Sequence, residues 1–325
     1  MVAGWLVLAL LDGDLPGVDR ERLTCSATEN TDLFWACRGG GGGNFGVVTS
    51  LTFAAVPVGQ ATTFSLRWPW SEAAAVIDAW QRWAPQAPDA LTATCHLFAG
   101  GKDGAEPTVR VGGGFIGAQA ELTPLVAELQ ELGVGPPTQH SDSTGAYGEI
   151  ARSWVDCDAV LAHCKRVGTD PQGQVKRGTY RARSDYAATL LPAAGIAALI
   201  KALEGRVASP YSGGVLLDPY GGFLASVPVE ATAFVHRQQL FSLQYLASRD
   251  PALTPAQQTA GDPWLTDFYA TMRPYVSGQN YQNYVDDDLD DWQDAYYRAN
   301  TARLLAIKAL VDPTGFFTFP QAIGA

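Results

Sequence analysis

Apolar positions along this chain follow two periods, and the changes between them predict its elements. Four stretches repeat at intervals of three and four residues, the spacing of one helical face. In SEAAAVIDAWQRW the stripe is Val76, Trp80 and Trp83, with Ser71 placed to cap and Pro85 to stop the helix. TPLVAELQELG predicts a helix capped by Thr123, with Pro124 in its first turn and Gly133 at its end. GIAALIKALEG predicts a third, burying Ile196, Leu199, Ile200 and Leu203. A fourth is expected from about Asp288 to Leu310, stopped by Asp312-Pro313.

Between the helices the period falls to two. TVRVGGGF, GGVLLD, GGFLASVPV, TAFVH and LFSLQYL read as strands, several patterned on one face, and YQNYV (281–285) is strand-like. Strands and helices alternate irregularly, which suits an antiparallel sheet covered by helices on one side, an α+β arrangement. Residues 1–57 read as strand, turn, strand, short helix, glycine loop and strand, with the first strand turning at Asp12-Gly13. That opening stretch lacks the basic leader and cleavage site of a signal peptide and is too short to span a bilayer. ASRDPALTPAQQTAGDP marks a loop or boundary near residues 248–263.

The glycine run in DLFWACRGGGGGNFGVVTS poses a chemical question. Gly41 to Gly46 satisfy the spacing G-x-G-x-x-G, which marks a dinucleotide site only after a strand, before a helix, and with an acidic residue further on. Here a helical stretch precedes the glycines and VVTSLTF follows as a strand. No Asp or Glu occurs between Asp32 and Glu72. The dinucleotide reading therefore fails.

Composition narrows the rest. A chain of 325 residues with 47% hydrophobic content can bury one large core or two ordinary ones. Its net charge of -11 argues against a nucleic-acid partner. Cys25, Cys37, Cys95, Cys157 and Cys164 fit neither a disulfide framework nor a zinc site, so reduced thiols in a cytoplasmic setting are expected. His96, His140, His163 and His236 show no metal-ligand spacing. The run DDDLDD has Asp291 and Tyr297 where a calcium loop needs Gly and Glu, so its carboxylates are read as helix-start charges. In LLDPYGG, Asp218 and Tyr220 project to one face of an extended segment; in YQNYV, Tyr281 and Asn283 share a face and Tyr284 opposes them. These phenols either line a cleft or bury their rings and keep their hydroxyls wet. Arg181, Arg183, Trp154, Gln244 and Tyr245 are further candidates for a pocket lining.

Three segments, DLFWACRGGGGGNFGVVTSLTF, DPYGGFLASVPVEATAFVHR and YQNYVDDDLDDWQDAYYRANTARLLAIKALVDPTGFFTFPQAI, together resemble the berberine bridge enzyme-like flavin oxidases of the vanillyl-alcohol oxidase superfamily. The third is the most specific, through Tyr-x-Asn-Tyr, Asn300-x-x-Arg303-Leu304 and Lys308 with Asp312-Pro313. The resemblance implies an α+β fold in which 1–57 is the C-terminal part of a PCMH-type FAD-binding domain. Residues 58–262 would form the substrate domain, and 263–325 a segment returning to the FAD domain. It implies FAD as cofactor, near Gly42, Gly43, Asn44, Gly46, Val47 and Asn283. It also implies oxidation of an alcohol, sugar or secondary metabolite by hydride transfer to flavin N5, with dioxygen taking the electrons to give hydrogen peroxide. Tyr284 or Tyr281 would be the base and Tyr220 a second phenol. A free phenol is a poor base at pH 7, and Asp218 would assist by accepting its proton or hydrogen bond. The family's pyrophosphate loop and its covalent flavin-attaching His and Cys are not matched here. The chain is therefore expected to be a truncated form that alone holds flavin weakly or not at all. The alternative is a cofactor-free binding module or cyclase built on the same fold.

Overall fold

The computed structural model describes residues 3–9, 22–101, 106–155, 157, 159–176, 178–250, 252–254, 256–257 and 262–324. In chain order the first elements are strands β1 (Ala3–Ala9) and β2 (Arg22–Cys25), helix α1 (Thr31–Ala36) and strand β3 (Val47–Phe53). There follow β4 (Gln60–Trp68), α2 (Ala73–Trp83), β5 (Leu91–Ala99), β6 (Thr108–Phe115), α3 (Gln119–Glu131), β7 (Gln139–Ala146) and α4 (Tyr147–Ser153). The remainder comprises β8 (Tyr180–Ala187), α5 (Ala193–Glu204), β9 (Gly213–Pro219), α6 (Gly222–Ser226), β10 (Phe241–Ser248), α7 (Pro263–Met272), α8 (Trp292–Tyr297) and α9 (Thr301–Val311).

These elements form two compact units. One comprises residues 1–57, 225–237 and 278–325; the other comprises 58–224 and 238–277. The later change of unit thus falls at 277/278 rather than 262/263, because α7 packs on β8 and β10 and stays with their sheet. The expected turn at Asp12-Gly13 lies outside the described residues.

The second unit is a seven-stranded antiparallel sheet in the order β7-β4-β6-β5-β9-β10-β8. Alternate residues of its strands, among them Leu66, Leu97, Val111, Leu217 and Leu243, meet α2, α3, α5 and α7 in one core. The stripe read in the sequence is there: Val76, Trp80 and Trp83 are buried, and the Trp80 indole donates to Ala93 O at 2.8 Å. Ile196, Leu199 and Leu203 are buried and Ile200 half-buried. The expected caps differ. Ser71 does not cap α2, which begins at Ala73. α3 begins at Gln119, so Thr123 lies inside it and its hydroxyl bonds back to Gln119 O at 2.9 Å.

The first unit pairs its strands β2-β1-β3, all antiparallel. Its core joins Leu33, Phe34 and Trp35 of α1 to Tyr296, Tyr297, Leu304 and Ile307. The helix expected from 288 to 310 is broken: Arg298 takes φ 47° between α8 and α9. The break lets buried Asn300 donate to Ala233 O at 3.2 Å and hold residues 225–237 in this unit. Neither GGFLASVPV nor TAFVH is a strand; the former holds the short helix α6. YQNYV is a turn closed by Tyr284 N–H on Tyr281 O at 2.8 Å.

The expectation of five free thiols is corrected. Cys157 and Cys164 form a disulfide, because the turn through Leu161 to Cys164 brings their Cα atoms to 5.2 Å. Cys25, Cys37 and Cys95 are free. Among the described residues no group of three or more His, Cys, Asp or Glu could hold a metal ion, and no helix is long and apolar enough to cross a membrane.

Arg183 and Tyr245 do not line a pocket. Both point to the helix-covered face, with the Arg183 guanidinium 3.7 Å from the Tyr269 ring centroid and Tyr245 stacked edge-on against Phe268. Beside them the fully buried Asp185 accepts from Arg273, just past the end of α7, at 2.7 Å. Burial pushes the Asp185 carboxyl up to about 7, with the opposing pull of Arg273 too weak to prevent it. A carboxyl raised on folding binds its proton more tightly in the folded state, so this contribution is complete below about pH 4 and lost as pH rises through 7. Urea unfolding followed at α7 is expected to show stability falling from pH 5 to pH 8, and Asp185→Asn to flatten that slope.

Candidate functional site

The glycine run leaves α1 with its first two carbonyls taken inside the first unit. Gly39 O accepts from Gln282 Nε2 at 2.9 Å; Gly40 O accepts from the Tyr297 hydroxyl at 3.1 Å and from Asn44 Nδ2 at 2.9 Å. Asn44 O accepts from Lys308 Nζ at 2.7 Å, and Asn44 Oδ1 from the Ile323 amide at 2.8 Å. Among the described residues no acceptor meets the amides of Gly41, Gly42 or Gly43. The loop is therefore tied at Gly39, Gly40 and Asn44, and the peptide groups of Gly41, Gly42 and Gly43 between them are left unspent.

Beside those donors lies a cavity of about 200 Å³. Gly42, Gly43, Asn44, Gly46 and Asn283, expected as cofactor contacts, all line it; Val47 does not, and Val48 lines it instead. Asn44 contributes main chain only, since its side chain is buried and bonded within the unit. Gly41 and Gly43 take φ of 80° and 78°, where a side chain would be strained. A Cβ on Gly42 would meet nothing within 4 Å, so only the empty space is bounded by its bare backbone. Cys37 also lines the cavity, with its thiol pushed up to about 12 by burial and by Cys25 nearby, and so is unreactive at neutral pH.

The Tyr281–Tyr284 turn joins this region through Asn283. Asn283 Nδ2 donates to the Tyr281 hydroxyl at 2.7 Å, and the two tyrosine rings meet edge-on with centroids 4.9 Å apart. The expected facing of Tyr281 and Asn283 is present, produced by a turn and not by a strand.

Asp218 and Tyr220 belong to the second unit. Asp218 Oδ1 accepts from the Thr94 hydroxyl at 2.7 Å, and burial raises its carboxyl above the usual range despite that bond. Its partner is thus a threonine and not, as expected, a phenol. Tyr220 instead exchanges a hydrogen bond with Tyr186 at 3.1 Å, their rings edge-on. Tyr220 also borders a cavity of about 240 Å³ with Pro85, Asp89, Thr92 and Phe223.

Comparison with known proteins follows the same segments. The family described as "Berberine and berberine like" matches residues 280–324, which hold Gln282, Tyr297, Lys308 and Ile323, the residues gripping the glycine loop. An uncharacterized FAD-linked oxidoreductase of Bacillus subtilis, YgaK, is 30% identical over 301 residues, covering 93% of this chain and 61% of that protein. The solved structure of wild-type BBE-like 1 from Physcomitrella patens superposes with a TM-score of 0.79 at 27% identity, over 99% of this chain and 65% of that one. The chain is similar to berberine bridge enzyme-like proteins along nearly its whole length. It spans about three fifths of the length of the FAD-linked relative, 61%, and a similar share, 65%, of the moss structure. An Arabidopsis thaliana member named as a monolignol oxidoreductase is 28% identical over 340 residues.

Sequence reading missed the grip on the loop, although Lys308 and Asp312 stand in the segment that carries the family resemblance. Lys308 Nζ, almost fully buried, donates to Asn44 O, to Asp312 Oδ2 at 2.6 Å and to Phe317 O at 2.6 Å. Burial alone would raise the Asp312 carboxyl, but Lys308 and the amides of Phe317 and Phe316 hold it below its usual value. Lys308→Met leaves the buried Asp312 carboxylate without its cation and the carbonyls of Asn44 and Phe317 without this donor, a change that costs about 3–5 kcal/mol. Chemical denaturation is expected to show that loss, with Lys308→Met/Asp312→Asn less destabilised than the single variant.

Proposed function

We propose that the chain serves an FAD-dependent oxidase that converts an alcohol carbon to a carbonyl. The carbon gives up a hydride and its hydroxyl a proton, and dioxygen takes up both as hydrogen peroxide. The observation that carries this reading is the glycine loop: it is tied at Gly40 and Asn44, its amides between them are unspent, and the Gly42 backbone leaves an open space bare. Such donors suit the acceptor edge of a flat heteroaromatic ring, and side chains at these positions would fill the approach. At about 200 Å³ the cavity is below the roughly 300–1,000 Å³ of ordinary small-molecule pockets. It therefore fits one edge of the cofactor, and binding of free FAD by these 325 residues is weak.

FAD, when bound, supplies the hydride acceptor. The chain's own residues supply position and proton transfer. The amides of Gly41, Gly42 and Gly43 would hold the cofactor, and Asn283 fixes the Tyr281 hydroxyl. Tyr281 or Tyr284 takes the proton from the substrate hydroxyl as its carbon is oxidised.

FAD added in large excess is expected to show an induced visible circular-dichroism band on binding. Gly42→Ala should remove that band without lowering the unfolding temperature, because its methyl meets only the cavity. A band that persists unchanged in Gly42→Ala refutes the placing of flavin against the glycine loop. For turnover, substituting Phe at Tyr281 and at Tyr284 singly should lower kcat about 10²–10⁴-fold in the variant lacking the base. The peroxide assay would then show little change in KM, whereas equal activity in both variants excludes the phenols as bases.

A further inference from the structure

The face of the seven-stranded sheet turned away from the helices carries a second glycine run, Gly112-Gly113-Gly114 on β6, with no role so far. Arg110, Gly112 and Gly114 alternate onto that face. A Cβ on Gly112 would lie 3.1 Å from Arg110 Nη1, and one on Gly114 only 2.5 Å from the Trp154 ring. The two glycines are therefore a bare floor beneath a guanidinium and an indole. Their spacing along the strand separates the two groups by roughly 7 Å.

The guanidinium rests on neutral partners. Arg110 donates to His96 Nε2 at 2.9 Å and to Ser65 Oγ at 3.4 Å. Burial, with Arg110 adding to it, pushes His96 down to about 4, so the ring is an uncharged acceptor at neutral pH. Arg67 stands directly across from Arg110 in the β4–β6 pairing, adding like charge. Among the described residues no carboxylate pairs with either arginine. This happens in a chain with 33 acidic and 22 basic residues, where acidic partners are plentiful. A half-buried cation left with neutral neighbours keeps most of its five N–H donors for something else. On the other side of Thr94 sits Asp218, two strand spacings from β6, or about 10 Å.

We propose that Arg110, backed by Arg67, receives the carboxylate of an acidic substrate whose ring lies against Trp154 and whose hydroxyl end reaches Thr94 and Asp218. The fork of an arginine matches a carboxylate in two parallel hydrogen bonds, which a neutral alcohol cannot form. The span suits one ring bearing an acid at one end and hydroxyls at the other, as in a sugar acid or a hydroxylated aromatic acid. The word substrate rests on the oxidase reading above; the binding does not.

Calorimetric titration of the flavin-free chain tests this with two pairs of probes, glucuronate against glucose and 4-hydroxycinnamate against 4-hydroxycinnamyl alcohol. At least one acid is expected to bind tenfold or more tightly than its neutral partner, and which pair responds identifies the source of the carboxylate. Arg110→Gln should abolish the preference, and Trp154→Ala should weaken acid and alcohol alike. Arg67→Gln, at an exposed position, should reduce the preference severalfold and covers the case in which Arg110→Gln fails to fold. Equal binding of acid and alcohol in both pairs, or a preference that survives in the arginine variants, overturns the proposal. Peroxide release from neutral alcohols with no acid preference would sink it while leaving the oxidase reading intact; acid binding without turnover would do the reverse.

Discussion

Seven strands paired antiparallel impose a two-residue period on everything that touches their sheet. One set of side chains is taken by the helices, and that set is almost wholly apolar from Leu66 to Leu243. The other set is free of packing duty, and there the chain places Arg110, His96, Thr94 and Asp218 in adjoining strands. The chemistry of the second unit depends on this division. A register slip of one residue would exchange the two sets, exposing the core and burying the charges.

The first unit reaches a comparable result with far less regular structure. Its glycine loop has neither strand nor helix to satisfy its main chain, so the partners come from far along the sequence: Gln282, Tyr297 and Lys308. Lysine suits the last of these because one ammonium group has three donors, here divided among two carbonyls and a carboxylate. The outcome is a backbone tied at Gly40 and Asn44 and open over the three glycines between them. That contrast turns a flexible composition into a shaped surface.

What the sequence made legible follows from how local each signal is. The helices with continuous stripes, α2 and α5, were readable, as were β3, β6, β9 and β10. Strand β7, QHSDSTGA, has no apolar alternation because it is an exposed edge, and β8 carries Arg183 and Asp185 toward the core where apolar residues would be expected. The turn at Tyr281 looked extended because turn and strand both tolerate tyrosine and asparagine. In the site, the glycine loop stood out by composition and by family resemblance. The partner of Asp218 and the resting place of Arg110 did not, since both depend on which strands become neighbours. The Cys157–Cys164 bridge was missed for the same reason: spacing alone does not reveal how a turn folds back.

The division of the chain between its units sets an order on synthesis. Residues 58–224 and 238–277 can complete their sheet as soon as they have left the ribosome. Residues 1–57 emerge earlier, yet their core needs Tyr296, Tyr297 and Leu304, which follow the whole of the sheet. The nascent glycine loop must wait, unsupported, through the making of most of the protein. A stalled or shortened message would therefore yield a folded sheet unit carrying an unfinished head, which cellular proteolysis can recognise by its exposed Leu33, Phe34 and Trp35.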